Sequence, residues 1–268
     1  IYYGASHVVG PDGKIHFVRL SPSHDIYYTR VTNGSVERSH LVFGSPFFGV
    51  YGNTSITLFN GKPVLAVPGP MTNGPRIFMS NRAAPTDIAH WEQVVVDNGA
   101  TAAKDVALIE FKNKLHLFYR RITDTVCESL RRSGDSAAFA CLSELVMATL
   151  QEDGGWSKEV LNDTGASGFD IAVAKTVDGQ GLFVAHGDAL NGNLNVEFLL
   201  GDTWQHYADL ARPVENDAPV ANSTGNRPSI AAFENRMVII HGPMMKDLDV
   251  QSDPGVIYRT EYLFGNNT

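Results

Sequence analysis

The chain has 268 residues, 43% of them apolar, and its 29 acidic against 21 basic side chains leave a formal charge of -8. That balance argues against a general nucleic-acid binder, which needs a basic face. No window reaches the roughly 18–20 uninterrupted apolar residues of a membrane helix, so this segment encodes no membrane association.

Read from the N-terminus, one unit recurs five times. Each copy begins with an alternating apolar run, a tight turn and a second apolar run. These are SHVVGPDGKIHFVRL from Ser6, SITLFNGKPVLAV from Ser55, DVALIEFKNKLHLFY from Asp105, DIAVAKTVDGQGLFVA from Asp170 and SIAAFENRMVIIHG from Ser229. The turn residues Gly13, Gly61, Asn113, Gly179 and Asn235 supply the positive φ of a tight hairpin. They lie 48, 52, 66 and 56 positions apart, close to the period of roughly 40–55 residues of a β-propeller blade. A third strand is expected in each copy, at 25–31, 76–81, 144–150, 195–200 and 255–264. The stretch 136–150 is apolar enough for a short helix, but strand fits the repeat better. A fourth strand opens on Trp91, Trp156 and Trp204, with Val36 in the corresponding place of the first copy. A Trp repeated at the start of an outer strand reads as a packing anchor between blades rather than a sugar-stacking ring.

The expected fold is therefore all-β: a five-bladed β-propeller of four-stranded blades, one domain over residues 1–268. Ile1, Tyr2 and Tyr3 are placed to supply the last strand of the fifth blade, so that the N-terminal segment closes the ring and removes its exposed edges.

Five N-x-S/T sequons begin at Asn33, Asn53, Asn162, Asn222 and Asn266, all in stretches that read as turns or connections, where a glycan is accommodated. The blander alternative is Asn-rich loop composition. Cys127 and Cys141 are the only cysteines. In a secreted chain such a pair reads as a disulfide, worth ~3 kcal/mol for a loop of this size; two buried thiols are the alternative. Both signals point to a secreted or cell-surface protein.

The segments KIHFVRL and DIYYTRVTNGSV, with Trp-bearing stretches such as DGGWSKEVL, resemble the repeats of sialidase-superfamily propellers and propeller lectins over essentially the whole chain. The family's S-x-D-x-G-x-T-W box is not intact: Gly201, Thr203 and Trp204 keep only part of it. Nor do the arginines match the family's carboxylate-binding triad, since Arg76 falls in the wrong repeat. Five repeats are similar instead to lectins of the tachylectin-2 type and to five-bladed glycosidases. The resemblance thus implies the fold and a glycan ligand rather than sialidase chemistry.

A propeller's ligand face is expected where the second strand of each blade leads into the third. Those connections here are long and polar, as functional loops tend to be. Candidate ligand-binding residues on this face are Arg120, Arg121, His186, Asp188 and His241, with Phe47, Phe48 and Tyr51 as stacking aromatics. Asp25 and Asp188 are the candidate catalytic carboxylates, since paired acids cleave glycosidic bonds. Asp105 and Asp170, opening inner strands, read as groups that hold backbone N–H bonds. Asp247, Asp249 and Asp253 crowd one loop but lack the glycine and final Glu of an EF-hand, so they are weak calcium candidates. No cofactor is implied. The leading functional expectation is a non-catalytic, lectin-like module binding a glycan or glycoprotein. A glycoside hydrolase is the alternative, and a receptor or adhesin using the 120–141 loop is a second.

Overall fold

A computed structural model describes residues 5–21, 23, 25–44, 54–69, 74–97, 103–122, 142–165, 167–188, 194–207, 214–215, 218–219, 226–233, 236–242 and 258–263. The fold is all-β. The first sheet is β1 (Ala5–Val9), β2 (Ile15–Leu20), β3 (Ile26–Thr32) and β4 (Ser35–Phe43). The second is β5 (Ser55–Phe59), β6 (Lys62–Val67), β7 (Arg76–Ser80) and β8 (Trp91–Val95). The third is β9 (Ala103–Phe111), β10 (Lys114–Ile122), β11 (Ser143–Leu150) and β12 (Trp156–Asn162). The fourth is β13 (Phe169–Lys175), β14 (Gly181–Gly187), β15 (Leu194–Leu200) and β16 (Thr203–Tyr207). A small ribbon, β17 (Val214–Glu215) with β18 (Ala218–Pro219), precedes the fifth sheet: β19 (Asn226–Ala232), β20 (Arg236–Gly242) and β21 (Tyr258–Leu263). Strands follow chain order across every sheet.

Local chemistry explains the hairpins. Gly13, Gly61, Asn113 and Gly179 all have positive φ, between 59° and 75°, where a tight reversal needs the left-handed region. Asn235, Ile1, Tyr2 and Tyr3 lie outside the described residues, as do Cys127, Cys141 and most of the 120–141 loop. The ribbon and a 3₁₀ turn at Ile88–His90, capped by the Asp87 side chain, carry no repeat signal in the sequence.

Two compact units are distinguished. The first comprises Ile1–Arg121 and Met147–Glu159. Within it the opening strands of successive sheets, β1, β5 and β9, lie side by side, and Ser55 Oγ accepts from the Leu108 N–H at 2.8 Å. Val18, Leu20, Ile26 and Tyr28 of the first sheet bury themselves against Ile56, Leu65, Val67 and Phe78 of the second. Trp91 anchors this contact: its Nε1–H donates to His40 Nε2 at 3.0 Å and its ring meets Tyr28 edge-on at 5.3 Å. The packing role expected for that Trp is what it performs.

The second unit comprises Ile122–Val146 and Val160–Thr268. Phe183, Ala185, Leu194, Val196 and Phe198 of the fourth sheet form one core with Met237 and Ile239 of the fifth. Phe183 and Phe198 stack with centroids 4.2 Å apart. Gly181 makes room for them, since a Cβ there would meet Phe198 Cε2 at 2.9 Å.

Among the described residues, Gly74 makes the tightest backbone approach. Its N–H donates to the Asp97 carbonyl at 3.0 Å, and a Cβ would stand 2.0 Å from that oxygen. Because the obstacle is backbone, Gly74→Ala is expected to cost about 1–3 kcal/mol or more. A urea unfolding midpoint equal to that of the unaltered chain would refute this close approach.

Candidate functional site

The inner strands of three sheets begin with the same irregularity. In the third sheet Ala103 pairs with Arg121 and Val106 with Tyr119, so Lys104 and Asp105 stand opposite Arg120 alone. In the fourth, Phe169 pairs with Gly187 and Ala172 with Ala185, so Asp170 and Ile171 stand opposite His186. In the fifth, Asn226 pairs with Gly242 and Ser229 with Ile240, so Arg227 and Pro228 stand opposite His241. Two residues against one is a β-bulge, which bends the strand and re-aims its side chains. The described pairs of the first and second sheets, which begin at Ala5–Arg19 and Ser55–Ala66, run in unbroken register.

The fourth-sheet bulge sits on a buried polar network within the second unit. His186 is fully buried. The Gly168 N–H, which can only donate, reaches its Nδ1 at 3.1 Å. Nε2 therefore carries the ring proton and donates it to Glu197 Oε1 at 3.2 Å. The same oxygen accepts from Asn162 Nδ2 at 2.9 Å and from His206 Nδ1 at 2.7 Å. Glu197 is 1% exposed, whereas the His206 side chain is 40% exposed. Burial alone would push the Glu197 carboxyl up. The hydrogen bond from His186, then the bond from Asn162 and the potential of His206, outweigh it and hold the carboxyl below the usual glutamate range. Asn162 is itself fixed, because its Oδ1 accepts from the Thr164 N–H and from the hydroxyls of Thr164 and Ser167.

A related network occupies the first unit. Asp97 is buried; its Oδ2 accepts from the Tyr119 hydroxyl at 2.7 Å and lies 3.7 Å from Arg121 Nη1, while Oδ1 accepts from Lys158 Nζ at 3.1 Å. Asp97 follows Trp91 by six positions and Asn162 follows Trp156 by six. A polar residue at that step of the repeat, at or just beyond the end of the outer strand, ties it to polar groups of the following sheet. The sequence held this signal, in WEQVVVD and WSKEVLN, but it was not read as a site. Glu197 gave no signal, since a lone Glu in NVEFLL reads as an outward-facing strand residue.

The residues singled out in the sequence fall into three groups. Arg120, His186 and Asp188 are buried at or beside bulges rather than solvated in loops. Arg121 is half-buried against Asp97. Asp25 is committed to its own turn: its Oδ2 accepts from the Ser23 hydroxyl at 2.8 Å and the Ser21 hydroxyl at 3.4 Å, and its N–H donates to Ser21 Oγ. Asp105, expected to hold backbone, is buried at its bulge. Of the sequon asparagines, Asn33 sits exposed at a hairpin tip with φ 51°. Asn162 is corrected: it is 6% exposed and its amide nitrogen is bound to Glu197, which leaves a glycan no room. Asn53, Asn222, Asn266, Phe47, Phe48, Tyr51, Asp247, Asp249 and Asp253 lie outside the described residues, as does the side chain of His241. Among the described residues no group of three or more His, Cys, Asp or Glu is arranged to hold a metal ion.

No protein-family model matches the chain, and no curated protein matches it either. Solved structures do. An α-L-arabinofuranosidase from Lactobacillus brevis is similar over 99% of this chain and 91% of its own, with 12% identity and a TM-score of 0.57. An α-L-arabinanase from Penicillium chrysogenum, complexed with arabinobiose, matches 89% of this chain and 74% of its own, at 12% identity and a TM-score of 0.59. The leech intramolecular trans-sialidase matches 92% of this chain but only 37% of its own, at 15% identity and a TM-score of 0.54. At these identities the likeness is one of fold, and the fold is that of sialidase-like β-propellers. It also overturns the leading functional expectation. The first two structures are glycoside hydrolases, so the lectin-like, non-catalytic reading gives way to its alternative.

The Glu197 network makes a pH prediction. Its carboxyl is held below the ordinary value of 4.5 when folded, so the network stabilises the fold fully above that pH and loses the contribution as pH falls through the lowered folded value. Glu197→Gln is expected to be less stable by about 1.5–3 kcal/mol at pH 7, the scale of hydrogen bonds to a charged group. Thermal melts of both proteins across pH 3–7 check it: the gap should close on the acid side, and a gap constant with pH would contradict the assignment.

Proposed function

We propose that the chain is a glycoside hydrolase on a five-bladed propeller, whose site draws on carboxylates beside the fourth-sheet bulge of the second unit. The observation that carries this reading is a fold similar to those of an arabinofuranosidase and an arabinanase, with Asp170 and Asp188 beside one bulge of the fourth sheet. Glycosidic cleavage needs one carboxyl to protonate the leaving oxygen and a second to act as base or nucleophile. Asp188 remains a candidate for one of these roles. It is buried and directly follows Gly187, which pairs with Phe169 beside the Asp170 bulge. Asp25 does not, because its carboxylate closes a local turn.

We also read the chain as extracellular and glycosylated at Asn33, whose exposed hairpin tip supports that reading.

Two measurements test these readings. A panel of aryl furanosides and pyranosides, together with arabinan, should include at least one substrate, and Asp188→Asn should reduce its turnover by roughly 10²–10⁴-fold, the scale of general acid–base catalysis. A folded protein that turns over nothing in the panel removes the hydrolase reading. For the glycan, secretion from a eukaryotic host should yield a mass that drops on enzymatic deglycosylation and in Asn33→Gln, and an unchanged mass would rule out modification there.

A further inference from the structure

Trp91 ties the second sheet to the first through a hydrogen bond whose direction is fixed. Its indole N–H can only donate, so His40 Nε2, 3.0 Å away, is an unprotonated acceptor. The single ring proton of a neutral His40 then sits on Nδ1. That atom is buried and has no hydrogen-bond partner among the described residues. The bond to Trp91 therefore holds His40 in a tautomer that leaves a buried donor unused. Nothing in the repeat demands such a bond. Trp156, which opens the outer strand of the third sheet, keeps its Nε1–H buried without a partner among the described residues.

The groups around the ring favour its neutral state. Arg38 lies on the same strand, and Asp87 and His90 act on it from the turn that leads into β8. Tyr28 of β3 packs with its ring centroid 5.4 Å away, and behind it His16 of β2 shares a 2.6 Å hydrogen bond with the Tyr28 hydroxyl. Asp87 is the only carboxylate among these groups, and its Oδ1 is engaged by the Ala89 N–H at 2.9 Å. Burial, then the charge of Arg38, holds the His40 ring below the usual histidine range; Asp87 opposes this and His90 adds to it. A second ring proton has only Nε2 to go to, where it would stand against the indole N–H. The bond and the charged ring exclude each other. His40 is half-buried, so a charged ring has solvent to turn to.

We propose that the His40–Trp91 bond is an acid-released latch: when His40 takes up a second proton the bond breaks, and the second sheet loses its hydrogen-bonded tie to the first. The sign follows from the lowered folded value, because the unfolded chain binds the proton first. The latch's contribution is complete above the ordinary histidine value of 6.5 and is lost as pH falls through the lowered one. His16 and His116 are also held low by burial, but their Nδ1 atoms bond hydroxyls, of Tyr28 and Thr149. A hydroxyl can rotate from donor to acceptor and keep its bond to a charged ring. An indole N–H cannot, which singles out His40 among the three.

Nuclear magnetic resonance of the isotope-labelled full chain, between about pH 8 and 5, where histidine titrates, reads the latch directly. The Trp91 indole N–H signal is assigned by its absence from Trp91→Phe. In the unaltered chain this signal should shift, and exchange faster with solvent, as pH falls below the ordinary histidine value. In His40→Gln, whose side chain does not titrate, it should stay fixed. Urea midpoints should fall toward acid more steeply for the unaltered chain than for His40→Gln; His16 and His116 are present in both, so the difference isolates His40. A Trp91 signal that stays put in the folded unaltered chain, or moves as far in His40→Gln, overturns the proposal, as does an equal fall of the two midpoints. If His40→Gln does not fold, the ring nitrogen shifts of His40 in the unaltered chain decide. A proton on Nδ1 at pH 8 with a titration midpoint below 6.5 supports the latch, and a proton on Nε2 or a midpoint at or above that value overturns it.

Discussion

Val18, Leu20 and Tyr28 of the first sheet have no exposed surface because Leu65, Val67 and Phe78 of the second lie on them. Phe183 and Ala185 of the fourth are covered in the same way by Met237 and Ile239 of the fifth. Face-to-face burial of consecutive sheets is the constraint from which the other features follow. A four-stranded antiparallel sheet with two apolar faces has no stability by itself, and each sheet becomes a floor for the next. Burial at roughly 25 cal/mol per Å² of apolar surface rewards close approach. Close approach in turn dictates Gly181 beneath the Phe183–Phe198 stack and Trp91 wedged against Tyr28.

Polar groups inside such a stack must be fully bonded, because an orphaned buried donor or acceptor costs about 1–3 kcal/mol. The chain meets that condition at the same step of its repeat, six residues after a Trp. Asp97 gathers Tyr119 and Lys158, and Asn162 bonds Glu197 and in turn gathers Thr164 and Ser167. These networks differ in every residue and agree in position. The polar interior of the fourth sheet then reaches the bulge through His186, so that the packing of the sheet and the placement of Asp170 are not independent.

Much of the fold was legible in the sequence because it is written in short-range chemistry. The period-2 apolar runs, the Asn-Gly and Asp-Gly turns and the recurring Trp locate nearly all the strands, including β11, where a helix was the competing assignment. The site was less legible. His186 looked like a loop residue because Gly187 and Asp188 follow it, yet the strand continues through Gly187 and buries the ring. Asp105 and Asp170 open similar runs in the sequence, and nothing local distinguishes a carboxylate in regular extended backbone from one turned left-handed by a bulge. A bulge is a relation between two strands, invisible until both are paired. The lectin expectation failed for a related reason: it rested on absent contiguous signatures, and a fold shared with an arabinofuranosidase and an arabinanase needs no such motif.

The burial of Asn162 bears on how the protein is best produced. Its sequon, Asn162-Asp163-Thr164, is chemically intact, and transfer of an oligosaccharide precedes folding, when every sequon is open to the enzyme. A sugar on that nitrogen would place a bulky hydrated group where Glu197 needs a donor, and the fourth sheet would be unable to close over it. Passage through a glycosylating compartment thus sets a race between modification and collapse of the Thr164–Ser167 loop, and only molecules in which collapse wins reach the native state. A bacterial cytoplasm imposes no such race.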